Sequence, residues 1–411
     1  MATFGILVGG GPAPGINGVI GAATLLARGR GARVLGILEG FRWLMEGRTD
    51  HVRELDAADV SRIHLAGGSV LQTSRANPTR RPEDLAAVVR ALGALGVDHL
   101  ITIGGDDTAF SARRVGEAAG GALRVAHVPK TIDNDLPLPE GVPTFGFETA
   151  REQATRVLAR LSEDARTAGR WYFVVMMGRS AGHLALGAAK AAGATLALIP
   201  EEFPEPKLPL ARLVRILEGA IVKRVASGRG HGVAVLAEGL AGRLDPADLE
   251  ELENVERDEH GHIRLAEVPL GRVLRDGVRR ALAELGLKPT IVEKDVGYEL
   301  RCAEPGAFDL EYTRDLGVGA VRTLLAGTSN VMITRQGQAI VPVPFAEIMD
   351  PKTGRTRVRL VDTESESHAS ARALQVRIEP EDLEQPERLA AIARAAKLSP
   401  EAARQRYREA L

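Results

Sequence analysis

The sequence predicts an α/β protein built on largely parallel sheets, and three features of its 411 residues support that fold class. Short runs rich in valine, isoleucine and leucine recur along the chain. These runs are continuously apolar, as strands buried on both faces of a parallel sheet require. Each run is followed by glycine or a polar loop and then by a longer segment with apolar residues at helical spacing. Strands and helices that alternate in this way form sheets covered by helices.

The apolar runs and the helical segments give the predicted elements in chain order. The predicted strands are residues 3–9, 33–38, 98–103, 123–128, 171–177, 194–199 and 232–237. The predicted helices are residues 15–28, 82–95, 108–119, 147–165, 180–192, 208–227, 268–286 and 312–326. Beyond residue 378, alanine, arginine and glutamate recur at helical spacing and predict two surface helices with no chemical role.

A chain of this length exceeds one ordinary core and predicts two domains, each with a Rossmann-like sheet. The first domain spans residues 1–146 and is completed by part of residues 300–345, and the second spans residues 147–299. Residues 346–411 are predicted to add a C-terminal strand and the surface helices. Parallel sheets bind ligands beyond the carboxyl ends of their strands, which is where the polar motifs of this chain lie.

The composition limits the classes of partner and the compartment. The chain carries 53 basic and 54 acidic residues, a net charge of −1, so we expect no general attraction to nucleic acid or membrane. Cys302 is the only cysteine, which excludes an internal disulfide and a thiolate metal cluster. No apolar stretch approaches the ~18 residues of a membrane span, and the first residues lack the features of a signal peptide. We therefore expect a cytoplasmic protein.

Residues 8–17, VGGGPAPGIN, place three glycines after the first predicted strand and Gly15 at the start of a helix. Backbone amides and a helix N-terminus at one place form a pocket that suits an anion. The glycine spacing differs from that of a dinucleotide site, and the lysine that ends a P-loop is absent. The alternative is that these glycines serve only the geometry of a tight turn.

Residues 104–108, GGDDT, follow another predicted strand and carry two adjacent carboxylates. Asp106 is a candidate ligand for Mg²⁺, which prefers carboxylates, water and phosphate oxygens. Asp107 should repel the phosphate that such a loop receives, so it either has no role or rejects a particular ligand. The alternative is that Asp107 caps a helix that begins near Thr108.

Residues 129–135, PKTIDND, combine a cation with two carboxylates. Asp133 is a candidate general base, Asp135 a second carboxylate for metal binding or orientation, and Lys130 a cation for phosphate. Phosphoryl transfer to an alcohol needs these three kinds of group together. An Asp/Asn-rich turn would explain one such residue and would explain the whole set poorly.

Residues 176–186, MMGRSAGHLAL, form a fourth strand-to-helix motif. Arg179 offers a planar fork for phosphate or sugar oxygens, and Gly178 lets the backbone approach a ligand closely. Methionines such as Met176 and Met177 are more often part of a core than of a ligand site.

These motifs together resemble the phosphofructokinase family. The resemblance rests on GGPAPGIN, GGDDT, PKTIDND, MGRSAGHLAL, AEG at residues 237–239 and GYELR at residues 297–301, in that order and at those intervals. It covers residues 4–326. It implies two α/β domains with the active site in the cleft between them. It also implies transfer of a phosphoryl group to the 1-hydroxyl of fructose 6-phosphate, with Mg²⁺ as cofactor, in glycolysis or gluconeogenesis.

The resemblance also implies roles for individual residues. Asp133 matches the catalytic base, and Thr131, Asp135 and Lys130 accompany it in the same loop. Asp106 matches the aspartate associated with Mg²⁺. Contacts with the phosphoryl donor are implied for Gly11, Arg75, Asp107, Thr108 and Lys130. Contacts with the sugar phosphate are implied for Thr131, Asp133, Met177, Gly178, Arg179, Glu238 and Arg301, and for Tyr298, where many relatives have histidine.

Arg170 matches an arginine that reaches into the active site of the neighbouring subunit. We therefore expect a homo-oligomer, either a dimer or a tetramer, because a lone subunit would have an incomplete pocket. A second arginine that some relatives send across the interface lacks a clear counterpart here, and Lys294 is the predicted substitute.

Asp107 determines which phosphoryl donor we expect. ATP-using relatives generally have glycine at this position, and the aspartate resembles the pyrophosphate-dependent branch. The side chain stands where the α-phosphate and nucleoside of ATP would lie, and two unit charges about 4 Å apart repel by about 4 kcal/mol at the dielectric of a protein surface. Diphosphate is shorter, and Lys130 can bind it and neutralise its charge.

The predicted substrates are therefore fructose 6-phosphate and diphosphate, in a reaction that runs both ways. Three alternatives remain open. The donor could be ATP, the acceptor could be sedoheptulose 7-phosphate, or the chain could be a non-catalytic phosphate-binding regulator that kept the fold.

Overall fold

The computed structural model describes residues 1–139, 141–250, 268–350, 352 and 356–411. The chain divides into two compact units. Unit 1 consists of Met1–Ala150 and Tyr298–Arg359, and unit 2 consists of Arg151–Gly297 and Leu360–Leu411. Each unit is thus built from an early and a late part of the chain.

The strands in the described residues include all seven that the sequence predicts. They are β1 (Thr3–Val8), β2 (Arg33–Ile37), β3 (Val52–Glu54), β4 (His99–Gly104), β5 (Arg124–Pro129), β6 (Trp171–Met176), β7 (Leu196–Leu198), β8 (Gly232–Ala237), β9 (Ile291–Val296), β10 (Val331–Gln336) and β11 (Ala339–Pro344). Among these, β3, β9, β10 and β11 are additional to the prediction. No strand is found in the described part of residues 346–411, where one was predicted; Met349 and Thr356 form only an isolated bridge.

All eight predicted helices are confirmed, with ends that shift by up to five residues. The α-helices of the described residues are α1 (Ile16–Gly29), α2 (Arg42–Met45), α3 (Ala57–Val60), α4 (Pro82–Ala94), α5 (Asp106–Ala118), α6 (Phe147–Ala168), α7 (His183–Ala192), α8 (Leu210–Ala226), α9 (Leu270–Glu284), α10 (Tyr298–Arg301), α11 (Ala307–Leu325), α12 (Phe345–Ile348), α13 (Glu366–Ala373), α14 (Pro380–Glu384), α15 (Pro386–Ala396) and α16 (Pro400–Tyr407).

Unit 1 is built around a seven-stranded sheet with the order β11-β10-β5-β4-β1-β2-β3. The five central strands are parallel, and β3 and β11 add one antiparallel strand at each edge. The connection through α1 leads from β1 to β2 on one side, whereas β4 lies on the other side of β1. The chain therefore reverses direction across the sheet at β1 and β4, the place where such sheets bind ligands.

Both faces of this sheet are buried, which explains the continuously apolar runs. Phe4, Ile6 and Val8 of β1 pack into a core with α1 and α11. Leu7 points to the opposite face and packs into a second core with α4 and α5. Because side chains alternate along a strand, a strand covered by helices on both sides must be apolar at every position.

Unit 2 is built around a four-stranded parallel sheet with the order β7-β8-β6-β9. Trp171, Phe173 and Val175 of β6 lie in its core with residues of α8 and α9. The edge strand β9 reads IVEKDV and is exposed in its middle, so its pattern lacks the apolar run of a central strand.

The helices after residue 378 differ from the prediction of two surface helices. Three α-helices lie there, and α15 and α16 bury Leu389, Ile392 and Tyr407 in the core of unit 2. The Tyr407 hydroxyl donates to Glu218 Oε1 at 3.0 Å, and Arg406 Nε donates to the same oxygen at 2.6 Å. Glu218 is completely buried on α8, so this tail completes the core.

None of the described helices combines the length and the hydropathy that a membrane span requires.

Candidate active site

Three loops of unit 1 leave its sheet side by side. Val8 of β1 is paired with Ile103 of β4, and Gly104 of β4 is paired with Pro129 of β5. The loops that follow β1, β4 and β5 therefore start at the same level of the carboxyl edge. These are the loops that carry the three motifs predicted to bind the donor and to supply the base.

The glycine loop after β1 is held by hydrogen bonds within the protein. The amide of Gly9 donates to Ile103 O at 2.9 Å, and the amide of Gly10 donates to Ser74 O at 2.9 Å. These two amides are therefore already engaged, and the anion pocket at this loop stays a prediction that depends on the other amides and on the N-terminus of α1. Gly10 has a φ of 79°, which makes glycine the suitable residue for the turn.

Gly11 lies beside two cations of the site. Its carbonyl accepts a hydrogen bond from Lys130 Nζ. A Cβ atom placed on Gly11 would lie 3.3 Å from Cζ of Arg301, so glycine at this position leaves room for that guanidinium group.

The two carboxylates of the GGDDT motif lie in the first turn of α5. The helix begins at Asp106 with Gly105 as its N-cap, so the alternative that Asp107 is the N-cap is wrong. Both aspartates are exposed. The positive end of the helix dipole favours negative side chains at these positions.

Thr108 is buried behind the loop, with 6% of its surface exposed. A Cβ atom on Gly9 or on Gly104 would lie 2.4 Å from the Thr108 side chain. Thr108 therefore fills the space between the ends of β1 and β4. Its contact with the donor stays a prediction that this burial does not favour.

Lys130 is the buried cation at the centre of the loops, with 4% of its surface exposed. Burial, together with the charges of Arg301 and Arg75, lowers the pKa of Lys130 to about 8, whereas Asp133 and Asp106 act in the opposite direction. The structure therefore brings together the predicted base, metal ligand and donor-binding cations around one ammonium group.

The loop of the predicted base is folded back by short-range hydrogen bonds. The amide of Asp133 donates to Thr131 Oγ1 at 3.0 Å. Asn134 adopts a φ of 57°, a left-handed conformation that asparagine tolerates better than most residues. Thr144 supports it by donating from its amide to Asn134 Oδ1 at 3.0 Å.

Asp135 lies close to a like charge. Burial raises the pKa of Asp135, the negative charge of Asp106 raises it further, and hydrogen bonding to Thr131 and the positive charge of Arg359 lower it. A carboxylate whose ionisation is opposed by a neighbouring carboxylate is a common feature of cation sites.

Tyr298 and Arg301 form one turn, α10, in unit 1. Arg301 Cζ lies 5.1 Å from the centre of the Tyr298 ring, and 78% of Tyr298 is exposed. The charge of Arg301 acts on Lys130, so the structure places this arginine with the residues of the donor loops.

The sugar-phosphate motif of unit 2 is assembled at the carboxyl edge of its sheet. Glu238 Oε2 accepts a hydrogen bond from the amide of Gly178 at 3.1 Å. Gly178 has a φ of 139°, which L side chains rarely adopt. The side chain of Met177 packs on Gly297, and Arg179 is exposed beside them. Unit 2 therefore brings these four predicted contacts, Met177, Gly178, Arg179 and Glu238, together.

Arg170 does not lie with the other predicted sugar contacts of its own chain. It precedes β6, whereas Met177 follows that strand, a separation of about 20 Å along an extended chain. Arg170 Nε lies 3.6 Å from Asp164 Oδ2. Lys294 is exposed in the middle of the edge strand β9, opposite Val174.

Two residues that support these loops are absent from the sequence prediction. His127 is fully buried, with Nε2 3.0 Å from Gly104 O and Nδ1 2.8 Å from Thr102 Oγ1, and burial lowers the pKa of His127 to about 3. This neutral histidine fixes the end of β4. Arg359 contacts the loop of Asp133 from more than 220 residues away in sequence. No local pattern marks either role.

Comparison with known proteins identifies the family. A family profile described as Phosphofructokinase matches residues 3–324. The chain belongs to the phosphofructokinase family. Members of this family include enzymes with different phosphoryl donors, and relatives of both kinds are found.

Two relatives with more than half identity carry the same name. The chain is 53% identical to the pyrophosphate--fructose 6-phosphate 1-phosphotransferase of Thermotoga maritima, over 98% of this chain and 97% of that protein. It is 52% identical to the enzyme of the same name from Naegleria fowleri, over 98% and 94% of the two chains. A Mycobacterium bovis phosphofructokinase named as ATP-dependent is 34% identical over 84% of this chain and 93% of that protein.

A solved structure shares this phosphofructokinase fold. The pyrophosphate-dependent phosphofructokinase of Marinobacter aquaeolei superposes with a TM-score of 0.69 over 92% of each chain. The sequence identity is 17%, so this likeness concerns the fold alone.

Proposed function

We propose that this chain transfers a phosphoryl group between diphosphate and the 1-hydroxyl of fructose 6-phosphate. The observation that carries the proposal is the identity above 50% to two enzymes of that name, over 98% of the chain. At about one third identity, relatives named for ATP and for pyrophosphate both occur, so family membership alone leaves the donor open.

The charges of unit 1 support the proposed roles. Asp133 accepts the proton of the attacking hydroxyl as general base, and Thr131 holds its loop. Lys130, Arg75 and Arg301 supply positive charge around the group in transfer. Phosphoryl transfer depends mainly on such positioning and charge stabilisation. In unit 2, Arg179 and Glu238 are the proposed contacts for the sugar phosphate.

Asp106 and Asp135 fit a hard divalent cation. Both are carboxylates, and the mutual repulsion that raises the pKa of Asp135 would be relieved by a positive ion. No group of three or more His, Cys, Asp or Glu side chains in the described residues could hold a metal ion. Mg²⁺ is commonly held by one or two carboxylates together with the substrate's phosphates. Bound there, Mg²⁺ would neutralise charge on the diphosphate.

Asp107 provides the physical reason for the choice of donor. It is exposed in the first turn of α5, next to the proposed Mg²⁺ ligand Asp106. We infer that its side chain and charge exclude the longer ATP while diphosphate ends before reaching it.

Steady-state turnover of fructose 6-phosphate with diphosphate and with ATP tests the donor. We expect the wild-type enzyme to use diphosphate, and Asp107→Gly to raise kcat/KM for ATP by about tenfold or more because it removes both bulk and charge. Asp107→Asn isolates the charge, and Asp107→Glu is the matched control that should keep the preference. A wild-type preference for ATP would refute the proposal. Sedoheptulose 7-phosphate, offered in the same assay, tests the acceptor.

Arg170 supports an oligomer whose subunits complete each other's sites. Because its own strand separates it from Met177 by about 20 Å, we propose that it serves the site of another subunit. Mixing Arg170→Ala subunits with Asp133→Asn subunits tests this. Each mixed dimer would regain one intact site, so about a quarter of the wild-type activity should return on random mixing. Activity that stays at the level of the separate variants would contradict the exchange.

A further inference from the structure

The loop that carries the proposed base has an unfavourable backbone conformation that must be held in place. Asn134 lies between Asp133 and Asp135 and has a φ of 57°. A left-handed residue other than glycine costs free energy and persists only where its surroundings stabilise it. The question is therefore which groups hold Asn134.

Arg359 makes several of the hydrogen bonds that hold this turn. Its Nε donates to Asn134 O at 3.0 Å, and its Nη2 donates to Asn134 Oδ1. Its Nη1 donates to Val142 O at 2.7 Å, and its backbone amide donates to Asp135 O at 2.7 Å. The planar fork of one arginine thus spans the turn and the segment that returns from it.

Thr144 gives further support. Its amide donates to Asn134 Oδ1 at 3.0 Å, and its hydroxyl donates to Thr131 O at 2.8 Å. Arg359 and Thr144 therefore share the oxygen Asn134 Oδ1. Loss of the guanidinium group would leave the Asn134 carbonyl and the Val142 carbonyl without the donor that they have in this structure.

The position of Arg359 in the chain makes this role independent of the family motifs. The family match ends at residue 324, and Arg359 lies 35 residues beyond it, at the last position of unit 1. No motif of the family therefore marks Arg359, whose hydrogen bonds go to Asn134, to Val142 O and to Asp135 O.

We propose that Arg359 is a positioning residue that fixes the loop of residues 131–135 in its catalytic conformation. This inference rests on the proposed function for its catalytic meaning, since Asp133 is the proposed base. Arg359 acts through Asn134 and Asp135 and not through contact with a substrate. It therefore affects the rate of the chemical step more than the affinity for the sugar phosphate.

Three variants separate this role from a general loss of stability. Arg359→Met keeps the length of the side chain and removes the fork, whereas Arg359→Lys keeps the charge and one donor group. Arg335→Gln is the matched control in the same unit. Arg335 is also partly buried, with 14% of its side chain exposed, and donates to Glu311 at 2.9 Å and Asp315 at 2.8 Å.

Hydrogen exchange tests the loop without any substrate. We expect the amides of Asp133 and Thr144 to exchange at least about tenfold faster in Arg359→Met, because the bonds that hold Asn134 are lost. Arg359→Lys should lie between the wild type and Arg359→Met, and Arg335→Gln should match the wild type. Unchanged exchange at both amides in Arg359→Met would overturn the proposal, as would the same increase in Arg335→Gln. If Arg359→Met fails to fold, the exchange rates of the same two amides in Arg359→Lys and in Arg335→Gln are compared instead. Faster exchange in Arg359→Lys alone supports the proposal, and equal rates overturn it.

Kinetics test the catalytic consequence. We expect kcat with diphosphate and Mg²⁺ to fall by about 10- to 100-fold in Arg359→Met, with KM for fructose 6-phosphate changed less than about threefold. Arg359→Lys should recover part of kcat. A rise in KM with unchanged kcat would overturn the positioning role. If the wild-type enzyme were inactive with fructose 6-phosphate and diphosphate, the proposed function would be refuted instead. The hydrogen-exchange result would still test whether Arg359 holds the loop of residues 131–135.

Discussion

Lys130 allows a sharp prediction because its charge depends on pH in the range where the enzyme can be assayed. Burial, with the positive charges of Arg301 and Arg75, brings the pKa of Lys130 from an ordinary value of 10.5 to about 8. The ammonium group is thus unstable as an isolated charge and is available to bind an anion. Replacing it by methionine removes the charge and keeps an unbranched side chain of similar length.

The pKa of Lys130 gives the size of the expected effect. With a pKa of about 8, roughly nine tenths of the protein carries a charged Lys130 at pH 7 and roughly one tenth at pH 9. If diphosphate binds the charged form, its affinity falls about tenfold across that interval. We therefore expect KM for diphosphate to rise about tenfold from pH 7 to pH 9 in the wild-type enzyme, measured at saturating fructose 6-phosphate and Mg²⁺.

The Lys130→Met variant separates the enzyme's titration from that of diphosphate. Ionisation of diphosphate and its binding to Mg²⁺ also change with pH, and they affect both proteins equally. The KM for diphosphate of Lys130→Met, divided by that of the wild type, should therefore be large at pH 7 and approach one at high pH. A ratio that stays constant from pH 7 to pH 9 would refute the assignment of this pH dependence to Lys130.

The same pKa predicts that the stability of the folded protein rises with pH, whereas the affinity for diphosphate falls with pH. Between pH 8 and pH 10.5 the unfolded chain holds a proton on this lysine that the folded chain releases, so the free energy of unfolding rises with pH in that window. Below pH 8 the full cost of burying the charge is present, about 3 kcal/mol from the drop of the pKa. Lys130→Met should therefore unfold at a higher urea concentration at pH 7 while losing activity, and a lower midpoint would contradict the reasoning.

Two further predictions concern packing. Tyr407→Phe removes the hydroxyl that donates to the buried Glu218, and we expect a loss of about 1–3 kcal/mol in urea unfolding followed by circular dichroism, with unchanged kinetics; a change below about 0.5 kcal/mol would show that the bond is not needed. Gly9→Ala places a Cβ atom 2.4 Å from Thr108 Oγ1, so it should destabilise the protein by about 1–3 kcal/mol and lower kcat; Thr108→Ala in the same chain leaves Cβ of residue 108 as the nearest atom, at 3.2 Å, and should restore part of both, and no recovery would show that the clash is not with Thr108.

Three of the four strands that the sequence prediction missed, β3, β9 and β11, lie at sheet edges, whereas the fourth, β10, lies inside its sheet and the predicted strand β7 lies at an edge. β1, β4 and β6 are covered on both faces, so they appear as continuous apolar runs. β9 is an edge strand with exposed Lys294 in its middle, and β11 contains prolines, which only an edge strand tolerates. Exposed faces and missing donors remove the pattern on which the prediction depends.

The sequence predicts some residues of the candidate site, and only the structure shows the roles of others. Motif residues such as Asp106, Lys130 and Asp133 follow buried strands, so their meeting at one sheet edge follows from the fold class. The role of Thr108 as a buried filler depends on contacts with Gly9 across the sheet, which no local pattern reveals. Arg359 is remote in sequence from the loop that it holds, and its identity as a clamp appears only in three dimensions.

The charges around Lys130 are arranged in pairs that repel each other until ligands arrive. Arg301 lowers the pKa of Lys130, as one cation does to another, and Asp106 raises the pKa of Asp135, as one carboxylate does to another. A small anion between the cations and a divalent cation between the carboxylates would relieve both repulsions at once. A complex of Mg²⁺ with diphosphate offers these two charges at a short separation. We therefore expect these repulsions to weaken when that kind of ligand binds.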